Sequence, residues 1–194
     1  MDLYPDRFRL HLPRYFAAAQ TAWCCRRCRC ALDRIQEAIE LIIFIGLQGA
    51  GKSTFYRTHF AATHVHISKD KLRNNKHPER RQRQLLQQAL AQGQSVVVDN
   101  TNPTATDREP LIQIGHSFGA TVTGYYFESN VSDCLQRNSL RVGIARVPDI
   151  ALYATIKKLE RPAYGEGFDH LYYVRIAPSN GFEVSEWAAE DRHE

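Results

Sequence analysis

Three groups of residues in this chain have the types and spacings to handle phosphate. Gly46, Gly51, Lys52 and Ser53 fit G-x-x-x-x-G-K-[ST] within GLQGAGKST at 46–54. The glycines of such a loop let successive backbone N–H groups point inward at an anion. Lys52 then reaches the β- and γ-phosphates of a nucleotide, and the Ser53 hydroxyl holds Mg²⁺. The whole loop, Gly46, Gln48, Gly49, Ala50, Gly51, Lys52, Ser53 and Thr54, is the candidate nucleotide cradle. The plain alternative is a glycine-rich turn without a ligand. The strand-like run before the loop and the helix-like run after it favour the phosphate reading.

Two carboxylates follow at comparable places. Asp99 closes the apolar run VVVD and is placed like a Walker-B acid, holding Mg²⁺ directly or through water; the bland reading is a cap for the following helix. Asp70 comes just after a second short apolar run. A free Asp, with a pKa of about 3.9, is a weak base. In a loose phosphoryl-transfer transition state it need only accept a hydroxyl proton as transfer completes. Asp70 could thus orient and deprotonate an acceptor alcohol, or form a surface salt bridge with Lys69, Lys71 or Arg73. The third group, Arg137, Arg141 and Arg146, brackets a stretch with little periodicity, Leu140–Val147, that reads as a mobile lid. Closing arginines would neutralise donor phosphates and exclude water; without the loop at 46–54 they would read as a solvated basic face.

The elements that must position these groups alternate regularly. Leu41–Ile45 is a continuous apolar run, as expected for a parallel strand covered on both faces. Further strands are predicted at His64–Ser68, Ser95–Val98, Ala120–Phe127 and Tyr172–Ile176. Helices are predicted after the glycine loop, around Leu85–Leu90, from Pro103, over Val131–Asn138 and from Pro148. This order implies an α/β fold: five parallel strands with helices on both faces and an arginine-bearing lid. Ligands of such sheets bind beyond the carboxyl ends of the strands, where Gly46, Asp70 and Asp99 all lie. Between Lys69 and Arg83 seven Lys or Arg stand against Asp70 and Glu79. That excess suits a phosphate backbone, or a helix face turned to water.

The totals set broad limits. A chain of 194 residues with 43% hydrophobic and 24% charged residues is long enough for one domain with a sizeable core. The net charge of +4 says little about partners. No apolar run approaches the length of a membrane span, and the N-terminus lacks the pattern of a signal peptide, so a cytoplasmic location is expected. Residues 1–40 read as an extension, 41–178 as the working domain and 179–194 as an acidic, peripheral tail. The extension carries Cys24, Cys25, Cys28 and Cys30 among arginines, then a helix-like DRIQEAIE. Four thiols so crowded make poor metal-ligand spacing and read better as reduced cysteines than as a thiolate site.

Taken together, the motifs resemble the polynucleotide 5′-hydroxyl kinase family, with the zeta-toxin and AAA-type small P-loop kinases as wider relatives. The resemblance rests on GLQGAGKST, SKDKLR at 68–73, VVVDNTNPT at 96–104, RNSLR at 137–141, RVPDIALY at 146–153 and ERPAYGEGF at 160–168, in order across Leu41–Ala177. It implies ATP and Mg²⁺ as cofactors, with Lys52 and Ser53 on the phosphates and the metal. It also implies that Asp70 is the general base for a 5′-hydroxyl, that Arg73 engages the acceptor's phosphate, that Asp99 lies at the metal, and that Arg137 and Arg141 are lid arginines facing the donor. No acid pair of the kind used by the phosphatase half of the bifunctional relatives is present, so 3′-dephosphorylation is not expected. Three functions remain in view: a kinase acting on the 5′-hydroxyl of DNA or RNA, a kinase for a small alcohol or nucleotide, and a P-loop ATPase or switch without an acceptor.

Overall fold

The computed structural model describes residues 38–143, 146–177 and 181–188. The cysteine cluster at 24–30 and most of the helix-like DRIQEAIE lie outside the described residues. The last residue of that segment, Glu40, opens a strand rather than ending a helix.

Among the described residues six strands form one sheet in the order β2-β3-β1-β4-β5-β6. They are β1 (Glu40–Ile45), β2 (Val65–Ile67), β3 (Val96–Val98), β4 (Thr121–Phe127), β5 (His170–Ile176) and β6 (Phe182–Glu186). The first five are mutually parallel, and β6 is antiparallel to β5. The count of five is corrected to six by β6, which comes from the acidic end of the chain. An edge strand needs apolar contacts on only one face and tolerates charge on the other. Glu183 meets Arg175 across the pair at 2.6 Å, and Phe182 packs its ring 5.0 Å from that of Phe55.

The sheet is covered on both sides by α1 (Lys52–His59), α2 (Pro78–Ala91), α3 (Ala105–Ser117), α4 (Val131–Ser139) and α5 (Asp149–Ile156). The central strand explains why. Leu41, Ile43 and Ile45 join one core cluster with Leu86, Leu90, Leu111 and Ile112, while Ile42 and Phe44 join another with Phe55, Cys134 and Leu152. A strand that alternates faces yet is apolar throughout can only be buried on both. Each fully buried large side chain of this kind contributes about 1.5–3 kcal/mol relative to exposure.

Helix α3 begins later than Pro103. Thr104 caps it, accepting a hydrogen bond from the Asp107 N–H at 3.1 Å, while Asp107 accepts one back from the Thr104 N–H at 3.3 Å. This reciprocal cap satisfies two amide groups at once, whereas Pro103 lies outside the helix with its carbonyl accepting from the Glu160 N–H at 2.8 Å. Among the described residues no helix is long and apolar enough to cross a membrane.

Candidate nucleotide and acceptor cleft

The loop between β1 and α1 is held from several sides. The Gly46 N–H donates to the Thr101 carbonyl at 3.0 Å, and the Leu47 N–H to Ser129 Oγ at 3.2 Å. Gly49 and Gly51 have φ of 84° and 93°, conformations open to glycine and strained for other residues. A Cβ on Gly49 would stand 2.7 Å from the Cys134 carbonyl oxygen, so α4 presses directly on the loop. Ala50 is buried in the core beneath it, and Thr54 on the exposed side of α1 accepts from Arg57 at 3.1 Å. Gln48 donates to Thr155 Oγ1 of α5 at 3.1 Å.

Lys52 is 7% exposed, and its ammonium donates to the carbonyls of Gly46, at 2.8 Å, and Leu47. Burial pulls its pKa down to about 8, with Asp99 opposing the shift. Asp99, at the end of β3, takes a 2.7 Å hydrogen bond from Ser53 Oγ and lies 3.0 Å from His66 Nε2, both on Oδ2. Tyr56 stacks on His66 with ring centroids 4.1 Å apart, fixing the imidazole. Burial works against the Asp99 charge, but the His66 and Ser53 hydrogen bonds and the Lys52 ammonium hold its pKa below the usual carboxylate value. A hydroxyl and a carboxylate in contact at the cleft floor are hard oxygen donors of the kind Mg²⁺ takes, with water and phosphate oxygens completing its shell. The donor set fits.

Asp70 sits on a short 3₁₀ turn, Lys69–Leu72, capped by Ser68 after β2. Its carboxylate accepts from Arg73 Nη2 at 2.8 Å, with side chains 79% and 45% exposed respectively. Of the sequence alternatives for Asp70, the pairing with Arg73 is thus present, while Lys69 pairs with Glu79 at 3.6 Å. An ion pair in water contributes about 0–1 kcal/mol and opens at that small cost, so it leaves the carboxylate available. The turn is anchored underneath: the Lys69 N–H donates to Asn100 Oδ1 at 2.8 Å, and Asn100 donates to the buried Gln82 at 3.1 Å.

A cleft of about 630 Å³ joins these parts, a size suited to a small ligand. Gln48, Gly49, Gly51, Lys52, Ser53 and Asp99 line one wall; Asp70 and Arg73 line the other; Arg141 reaches it from the segment after α4. Gly46, Ala50, Thr54 and Arg137 do not line it. Arg137 donates from Nε to the Gly49 carbonyl at 2.7 Å, behind the loop. Arg146 is exposed. Within the segment expected to be mobile, Ile144 and Ala145 lie outside the described residues, but its two ends are tied. Buried Asn138 donates to the Val147 carbonyl at 2.6 Å and accepts from the Val147 N–H at 3.1 Å.

Sequence reading missed several supports. Arg108 is fully buried, bidentate on Glu166 at 2.6 and 2.8 Å, and donates to the carbonyls of Asn102, Pro103 and Glu160. Asn102, with φ of 42°, donates to the Phe44 carbonyl at 2.7 Å. These bonds fix the loop after β3 on which Asp99 stands. His66 carried one readable signal, a polar residue in the middle of an otherwise apolar strand.

Two curated proteins similar to this chain in sequence carry the same kind of name. A putative bifunctional polynucleotide phosphatase/kinase of Acanthamoeba polyphaga mimivirus is 29% identical over 142 residues, 70% of this chain and 33% of that protein. A bifunctional polynucleotide phosphatase/kinase of Schizosaccharomyces pombe is 24% identical over 139 residues, again 70% and 33%. The chain therefore spans about a third of the length of the curated relatives it matches. Kti12 of Chaetomium thermophilum, solved with ADP-AlF3, shares the fold with a TM-score of 0.57 at 16% identity, covering 72% of this chain and 92% of that one. The α/β architecture, a mostly parallel sheet flanked by helices, is thus shared with that structure. A family model described as an AAA domain matches residues 41–162, more than half of the sequence, and the chain belongs to that family.

Proposed function

We propose that this AAA-domain chain is an ATP- and Mg²⁺-dependent kinase that moves the γ-phosphate to the 5′-hydroxyl of DNA or RNA. The observation that carries the reading is a single cleft lined by two unlike sets of groups: Lys52, Ser53 and Asp99 beyond the ends of β1 and β3, and Asp70 with Arg73 on the turn after β2. Phosphoryl transfer asks for this division, charge neutralisation at the donor and a positioned acceptor opposite it.

Lys52 turns from the Gly46 and Leu47 carbonyls to the donor's phosphates, and Arg141 adds positive charge from above. Ser53 and Asp99 would hold Mg²⁺, which would supply positive charge to the donor's phosphates. Asp70 leaves Arg73 and accepts the hydroxyl proton as the acceptor oxygen bonds to the γ-phosphorus and the bond to the β-phosphate oxygen breaks, releasing ADP. Arg73, freed from Asp70, engages a phosphate of the acceptor. The named relatives, both polynucleotide phosphatase/kinases, support the choice of acceptor.

The test is incubation with γ-labelled ATP and a panel of 5′-hydroxyl DNA, 5′-hydroxyl RNA and small alcohols. Label on the 5′ end of an oligonucleotide is expected. Label on a metabolite alone, or free phosphate with no labelled acceptor, contradicts the reading.

A further inference from the structure

Helix α2 presents a face that neither the core nor the cleft uses. Gln82, Leu86, Ala89 and Leu90 are its buried side. Arg80, Arg83, Gln84 and Gln87, at i, i+3, i+4 and i+7, form an exposed stripe on the other. A helix face that merely meets water commonly mixes signs in i, i+4 pairs. Here Arg80 has Gln84 at i+4, and Arg83 has Gln87 at i+4 and Glu79 four residues before it. The single acid of α2, Glu79, lies within 3.6 Å of Lys69. Exposed Lys71 and Lys76 continue the positive charge from the 3₁₀ turn toward α2. The stripe is also mechanically joined to the cleft, because Gln82, 2% exposed, is bonded to Asn100, which holds the Lys69 backbone beside Asp70.

We propose that the Arg80–Gln87 stripe is the track for the nucleic-acid strand whose 5′ end reaches Asp70, a proposal that rests on the kinase reading above. Guanidinium groups hold phosphates, and glutamine amides bond sugar and base edges. With no exposed aromatic ring on the stripe for bases to stack on, the track follows the backbone and is insensitive to sequence. Helix α2 is about 21 Å long, enough to engage several nucleotides beyond the first.

The test is fluorescence anisotropy of the full chain with 3′-labelled, 5′-hydroxyl single-stranded DNA of about sixteen nucleotides, and with a labelled dinucleotide, across a salt series. Arg80→Gln with Arg83→Gln should weaken the long strand about tenfold and flatten its log–log salt slope by about 1.4, the share of two phosphate contacts. Dinucleotide binding should not change, and Arg80→Lys with Arg83→Lys should restore the slope. Both side chains are exposed, so an unchanged melting curve accompanies either variant. Undiminished long-strand binding, equal loss for the dinucleotide, or a wild-type chain that does not bind the long strand overturns the track. If the long strand binds with the expected slope but phosphate is never transferred to it, the kinase reading fails and the track stands.

Discussion

The two walls of the cleft are built differently. On the donor wall Lys52 and Asp99 are 7% and 6% exposed, and the Lys52 ammonium and Asp99 Oδ2 each have two partners in the protein. On the acceptor wall Asp70 and Arg73 are 79% and 45% exposed and meet each other in solvent. A triphosphate presents the same charges every time, so a rigid, desolvated cradle with strong electrostatics suits it. The strand proposed as acceptor would vary from one substrate to the next, and side chains that rearrange for about 1 kcal/mol suit that better. Rigidity sits where the ligand is constant.

Substitutions on the two walls should therefore differ in kind. On the donor wall the largest effect on chemistry belongs to Lys52→Met, which should lower phosphoryl transfer by about 10³-fold. It should also lower the melting temperature, because the buried Gly46 and Leu47 carbonyls lose their donor and Asp99 loses a neighbouring positive charge. A coupled kinase assay and a thermal melt of the same preparation read both.

Next is Arg108→Met, beneath the loop that follows β3. It strands Glu166, 15% exposed, and frees three carbonyls, so a loss of about 3–5 kcal/mol in denaturant stability is expected. Arg73→Ala, by contrast, should change stability by no more than about 1 kcal/mol. Equal losses for the two would erase the contrast between buried and exposed arginines.

The two arginines of the RNSLR motif give a smaller and more pointed comparison. Arg141 lines the cleft, so Arg141→Ala should reduce transfer by about 10²-fold with an unchanged melting curve. Arg137 braces the Gly49 carbonyl from behind, so Arg137→Ala should lower thermal stability and loosen nucleotide binding together. A stable Arg137→Ala protein with full nucleotide affinity would return Arg137 to the role of a donor-facing lid residue.

The smallest effect is in pH. With its pKa near 8, Lys52 sheds its proton in the folded chain at a pH where the unfolded chain keeps it, up to about 10.5. As pH rises through that window, this group's contribution to stability improves while nucleotide binding weakens. Calorimetric titration with ATP at pH 7 and 9 should show a several-fold loss of affinity that Lys52→Met flattens.

What was legible in the sequence were the parts with local causes. The loop at 46–54 is contiguous, and Asp70 and Asp99 each follow the end of an apolar run, so strand topology alone carries them to one edge. What was not legible depends on partners distant in sequence: Arg108 with Glu166, 58 residues apart, His66 with Asp99, 33 apart, and Gln82 with Asn100, 18 apart. Nothing in the identity of Arg108 separates a buried clamp from one more surface arginine. Strand β6 was hidden by its charges, which an edge strand accommodates and a central one does not. Spacing within RNSLR likewise cannot say that Arg137, on α4, bonds the Gly49 carbonyl while Arg141, beyond the helix, lines the cleft.

Asp70→Asn, assayed by single-turnover transfer from γ-labelled ATP to a 5′-hydroxyl oligonucleotide alongside ATP affinity, tests the two-walled account most directly. Transfer should fall by about 10²–10⁴-fold while ATP affinity and the melting curve stay at wild-type values. Undiminished transfer by the variant would contradict a catalytic acceptor wall.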